Sequence, residues 1–185
     1  MPSKPPPAPA SPAAIRLEID GVGSAVVIFG RMHSLQPFGD PRSVAYDGEN
    51  WSLDGTASGD LLTAETTITA AGRRLRFSRP HPWTPTAVAT VAEGRRDPTQ
   101  PTHLVFAAGP VLIGADPSSH LPDETASETI ALFVASGPAK NRANGEMLLW
   151  KLVTSPLDAN PVNQIAVPSL IETASIRLRV ETAAV

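Results

Sequence analysis

The stretch of the chain that most resembles catalytic machinery is "HLPDE", residues 120 to 124, which crowds His120, Asp123 and Glu124 together. An imidazole beside two carboxylates can move protons if the groups reach one substrate pose from a rigid element. Here a proline interrupts the run, and acids in such a loop ordinarily face solvent. The expectation is an exposed loop without catalysis. His33, His81 and His103 are well separated from one another, and no H-x-H or H-E-x-x-H spacing brings two imidazoles to one metal. They read as loop or strand-edge residues. Glu18, Asp60, Glu65, Glu128 and Glu172 are scattered, so no glycosidase-like pair of carboxylates can be argued from spacing.

Other chemistries leave no sequence trace. "GPAKNRANG" (137–145) lacks the order of glycines and lysine that builds a phosphate cradle, and "DGVGSAVVIFG" (20–30) carries no dinucleotide fingerprint. No G-x-S-x-G is present, and the chain has no cysteine, which removes thiolate metal sites, disulfides and a cysteine nucleophile. The chain reads as a non-enzyme with no catalytic residue, no metal and no cofactor.

Two groups of residues point to binding instead. "GRRLRFSRPHPW" (72–83) concentrates Arg73, Arg74, Arg76 and Arg79 beside His81 and Trp83. Arginines grip phosphates with two parallel bonds while an aromatic ring stacks a base, so these four arginines are candidate nucleic-acid contacts. Strand periodicity separates Arg74 and Arg76 from Arg73 and Arg79, which leaves an ordinary solvated or interface strand as the other reading. The three tryptophans, Trp51, Trp83 and Trp150, are candidates for a sugar-binding platform. Trp150 lies in an apolar run and suits a core, whereas Trp51 and Trp83 lie beside turns and are expected at the surface.

The elements that would position these residues are strands. "IRLEI" (15–19) alternates Ile15, Leu17 and Ile19 with Arg16 and Glu18, the pattern of a half-buried strand, and "SAVVIFGRM" (24–32) reads as a more fully buried one. Asp47-Gly48 and Asp54-Gly55 mark tight turns around short strands. "LLTAETTITA" (61–70) and "RRLRFSR" (73–79) flank Ala71-Gly72 as a hairpin. "TAVATVA" (86–92), "THLVFAAGPVLIG" (102–114) divided by Pro110, "TIALFVASG" (129–137) and "EMLLWKLVT" (146–154) follow. "ASIRLRVET" (174–182) closes the set with a last clean alternation. Eight to ten strands result, with no helix-length apolar period between them. Strands without intervening helices exclude a parallel β-α-β fold and predict an all-β antiparallel β-sandwich, with a jelly roll favoured.

At 185 residues the chain suits one domain, residues 15–185, preceded by a proline-rich arm over residues 1–14. Pro5, Pro6, Pro7, Pro9 and Pro12 favour extended geometry and lack the N–H groups of a ladder. Fifteen basic against eighteen acidic side chains leave a net charge of −3, without the positive excess of a general nucleic-acid binder. Charged residues are only 18% of the chain, below the roughly 25% typical of globular domains. A charge-poor exterior suits a protein covered by its neighbours, and the bias of a GC-rich genome gives the same composition. No segment offers an apolar run long enough to cross a bilayer, so no membrane partner is expected.

The arm ending in "PASPAAIRLEI", then "RPHPWTPTAVATVAEGRRDPTQP" followed by "THLVFAAGPVLIG", and the closing "ASIRLRVET" together resemble the small coat proteins of non-enveloped icosahedral viruses, loosely those of tymovirus-like capsids. The resemblance covers roughly a third of the chain and lies in strand and proline placement. It implies a jelly-roll subunit of a virion that self-assembles around a genome, with the arm as a tie between subunits. Its partners would be copies of itself or other virion proteins, and packaged nucleic acid. "RRLRFSR", the Asp-Gly-rich front third and the lack of cysteine depart from that pattern. An accessory phage capsid or tail protein shares the same general features, and a carbohydrate-binding β-sandwich module is the reading from another class.

Overall fold

Alternating burial makes the first and last strands partners. The computed structural model describes residues 14–30, 32–53, 60–63, 66–94, 98–136, 146–153 and 160–183. The arm prolines Pro5, Pro6, Pro7, Pro9 and Pro12 lie outside these residues, and Ala14, assigned to the arm from sequence, already begins a strand. β1 (Ala14–Ile19) pairs antiparallel with β17 (Arg177–Thr182) and with β2 (Gly23–Phe29). Between them run β3 (Met32–Ser34), β4 (Ser43–Tyr46), β5 (Trp51–Leu53), β6 (Asp60–Leu62), β7 (Thr67–Ala70), β8 (Arg73–Ser78), β9 (Ala87–Glu93), β10 (His103–Ala107) and β11 (Val111–Gly114). β12 (Leu121–Pro122), β13 (Thr129–Ser136), β14 (Glu146–Val153), β15 (Asn163–Gln164) and β16 (Ser169–Glu172) complete the described strands.

These seventeen strands exceed the eight to ten expected, because several are two or three residues long and too short to carry a periodic signal. The chain is all-β, mostly antiparallel and layered like a sandwich. The layers are three sheets rather than the two of a jelly roll. An eight-stranded sheet runs β16-β17-β1-β2-β10-β9-β8-β7, a five-stranded sheet β12-β11-β13-β14-β15, and a four-stranded sheet β3-β4-β5-β6.

The long sheet is covered on opposite faces by different partners. Ile15, Leu17, Ala25, Val27, Val105 and Leu178 pack with Ile113, Ile130 and Leu132 of the five-stranded sheet. Val26, Ile28, Leu104, Phe106, Leu75 and Phe77 pack with Val44, Trp51 and Leu53 of the four-stranded sheet. Adjacent residues of one strand point to opposite faces, so β2 and β10 feed both cores. That explains the unbroken apolar runs in "SAVVIF" and "LVFA": strands buried on both faces have no solvent side to alternate with. β2 and β10 also form one of the two parallel pairs, and both therefore begin at the same end of the sheet.

Where only one face is covered, alternation returns. On β1, β16 and β17 the open face carries Arg16, Glu18, Arg177, Arg179 and Glu181, with Arg16 opposite Glu181 and Glu18 opposite Arg179. Opposite charges across strands stabilise such pairs by some tenths of a kcal/mol, ~0.2–1 each. Arg42 ties the four-stranded sheet to the long one. Its guanidinium clasps both carboxylate oxygens of the buried Asp40 and also donates to the carbonyl of Thr69 on β7.

Candidate functional site

Four strand ends meet at one end of the long sheet. β2 and β10 start there, β9 finishes there, and β8 begins across from it. The register of β8 against β9 slips between Arg74 and Leu75, which leaves Ala92 as an extra residue. A bulge of this kind bends its strand and re-aims neighbouring side chains. Between the strand ends and the 98–102 segment lies a cleft of about 460 Å³, lined by Ser24, Arg73, Thr90, Val91, Pro98, Gln100, Pro101, Thr102 and His103.

The hydrogen bonds of the cleft fix the state of its imidazole. The Thr102 hydroxyl donates to the carbonyl of Ser24 at 2.7 Å, and the Thr102 amide donates to the same oxygen at 2.9 Å. With its one proton so engaged, the Thr102 hydroxyl accepts from His103 Nδ1 at 2.9 Å. His103 therefore carries its hydrogen on Nδ1 and presents a lone pair at Nε2. Burial pushes its pKa down, which keeps the ring neutral. Ser24 Oγ and Gln100 Oε1 are shut off from solvent in the cleft wall and have no hydrogen-bond partner. Among the described residues of the lining, Arg73 is the one charged side chain, with no acid beside it.

Of the arginines singled out from sequence, only Arg73 reaches this cleft. Arg74 and Arg76 are exposed and share a face of the sheet with Thr67 and Thr69, their cross-strand neighbours. Arg74 lies 3.6 Å from Glu93, which offsets its charge. Arg79 is exposed beyond the end of β8. The four arginines therefore form no single basic patch.

The histidines and acids depart from expectation in burial. His33 and His120 are buried, not surface residues of loops or strand edges. His33 donates from Nε2 to the carbonyl of Gly30 at 2.8 Å and packs edge-on against Trp51 and Phe106. His120 accepts the Leu112 amide at Nδ1, 2.8 Å, and its Nε2 has no partner. Burial, assisted for His120 by the neighbouring His81, lowers both pKa values from 6.5 to about 4. Asp123 is also buried, against the expectation of a solvent-facing acid, because it accepts from the Thr125 amide and hydroxyl and closes its own turn. Glu124 does face solvent. The contacts of His120 and Asp123 go to different partners, so "HLPDE" assembles no acid–base pair. Among the described residues no three His, Cys, Asp or Glu side chains are grouped to hold a metal ion.

The tryptophan platform does not form either. Trp51, expected at the surface, is 1% exposed and donates its indole N–H to the carbonyl of Pro85 at 2.7 Å. Trp150 packs partly buried against one core, and Trp83 alone stands free, 89% exposed. Sequence reasoning passed over Ser24, Gln100 and Thr102 because nothing local marks them. The cleft exists through the parallel pairing of β2 with β10, whose strands lie about eighty residues apart. Comparisons with protein families, curated proteins and solved structures found no match for this chain. Its geometry carries the functional reading.

Proposed function

We propose that the chain is a structural virion protein that works by self-association, as a capsid subunit. The observation that carries this reading is Trp83. A tryptophan 89% exposed, held in the proline-framed segment "RPHPWTP" (79–85), presents a large, stiff apolar surface with no partner in the monomer. Buried aromatic anchors of this type dominate protein–protein contacts, and prolines around them reduce the freedom lost on binding. The edge strands β7 and β16 and a half-exposed Leu170 offer further places for a neighbour. The jelly roll enters this proposal only in the coarse sense of a layered antiparallel shell subunit. The proline arm is proposed as the tie between subunits. The alternative of a carbohydrate-binding module loses its tryptophan platform and keeps only the cleft.

Light scattering and electron microscopy of the purified full-length chain test the reading, alongside a version lacking residues 1–12 and a Trp83→Ser variant. Closed particles from the full-length chain, with smaller species from the other two, are expected. A monodisperse monomer from the full-length chain at high concentration would sink the proposal.

A further inference from the structure

The cleft at the end of the long sheet has a composition that restricts what it can hold. At about 460 Å³ it falls within the ~300–1,000 Å³ range of small-ligand sites and is too small for a folded partner. Among the described lining residues Arg73 carries the only charge, and the planar guanidinium matches a carboxylate with two parallel bonds. The imidazole argues against phosphate. His103 Nε2 presents a lone pair, so it repels the oxygens of a polyanion and calls for hydrogen-bond donors. Hydroxyl groups supply those donors. Val91, Pro98 and Pro101 form the apolar part of the lining, suited to the C–H face of a saturated ring.

We propose that this cleft binds an acidic monosaccharide, a ring that carries hydroxyls and one carboxylate, with Arg73 on the carboxylate and His103 Nε2 accepting from a ring hydroxyl. This site is separate from the assembly reading and stands or falls independently of particle formation.

D-glucuronate titrated into ¹⁵N-labelled full-length protein provides the test, followed by amide shifts. Saturable shifts clustered at Ser24, Val91, Thr102 and His103 are expected. Arg73→Gln should weaken binding by about tenfold or more, Arg73→Lys by less, and D-glucose should bind about tenfold more weakly than glucuronate. Arg76→Gln, on the open face of β8, should bind as the native chain does. A well-dispersed spectrum for each variant separates lost binding from lost folding. The proposal is overturned if glucuronate gives no saturable shift, if folded Arg73→Gln binds undiminished, if glucose binds as tightly, or if inorganic phosphate displaces the sugar acid at equal concentration.

Discussion

His33 is sealed between two aromatic rings with its Nδ1 lacking any partner, and His120 is sealed with its Nε2 in the same condition. Both stay neutral in the folded chain down to about pH 4, whereas unfolding returns each to a value near 6.5. Between those limits the unfolded chain binds more protons than the folded one, so unfolding free energy must fall as pH falls. Each histidine contributes a slope of up to ~1.4 kcal/mol per pH unit. His103, shifted in the same direction, adds to it. Asp40 and Asp116, whose pKa values are lowered by Arg42 and by the Ser118 amide, lose their contribution only as pH falls below the ordinary carboxylate range. Urea titrations at pH 7, 6 and 5 should therefore show a steadily declining midpoint, and His33→Gln should flatten the decline by about one proton. A midpoint constant from pH 7 to 5 would contradict the buried, neutral imidazoles.

At the scale of elements, β8 shows what a strand's alternation can and cannot deliver. Leu75 and Phe77 go to the core and Arg74 and Arg76 to solvent, as "RRLRFS" reads on its face. The phosphate grip proposed for the four arginines then reduces to Arg76 and Arg79, because Arg74 faces Glu93 and Arg73 turns into the cleft. Two contacts to single-stranded nucleic acid give a salt slope of about −1.4. Oligonucleotide binding measured from 50 to 200 mM salt should show a slope no steeper than roughly −2, and a slope near about −2.8 would mean the four arginines act as one patch. β1, β2, β8, β13 and β14 were legible for related reasons: each carries either a clean period of two or an unbroken apolar run bounded by turn residues. β17 was legible in "ASIRLRVET", but β16 was not: Thr173, Ala174 and Ser175 separate it from β17, with which it forms a hairpin. Trp51 was misread because its burial depends on Pro85, thirty-four residues away, and no local pattern records that contact. The cleft was invisible for the same reason, being made of strand ends that meet only through long-range pairing.

For the whole molecule, the decisive feature is that the two cores share β2 and β10. Ala25, Val27 and Val105 serve one core while Val26, Ile28 and Phe106 serve the other, so neither core can open without stripping a face from strands the other requires. Unfolding should then be one transition even though the molecule has three sheets. Trp51, in the core beneath the four-stranded sheet, can report this if Trp83 and Trp150 are replaced by Phe to leave it as the sole fluorophore of its kind. Its denaturation midpoint should coincide with that of far-UV circular dichroism, which follows all the strands. Ile113 belongs to the opposite core, and Ile113→Ala should destabilise the chain by ~2–5 kcal/mol. If the cores are coupled through β2 and β10, that substitution lowers the Trp51 midpoint by the same amount as the circular dichroism midpoint, although Ile113 and Trp51 belong to separate core clusters. A Trp51 transition that stays in place while the circular dichroism curve splits would show the two halves unfolding independently, and the shared strands would then be an interface between separable units.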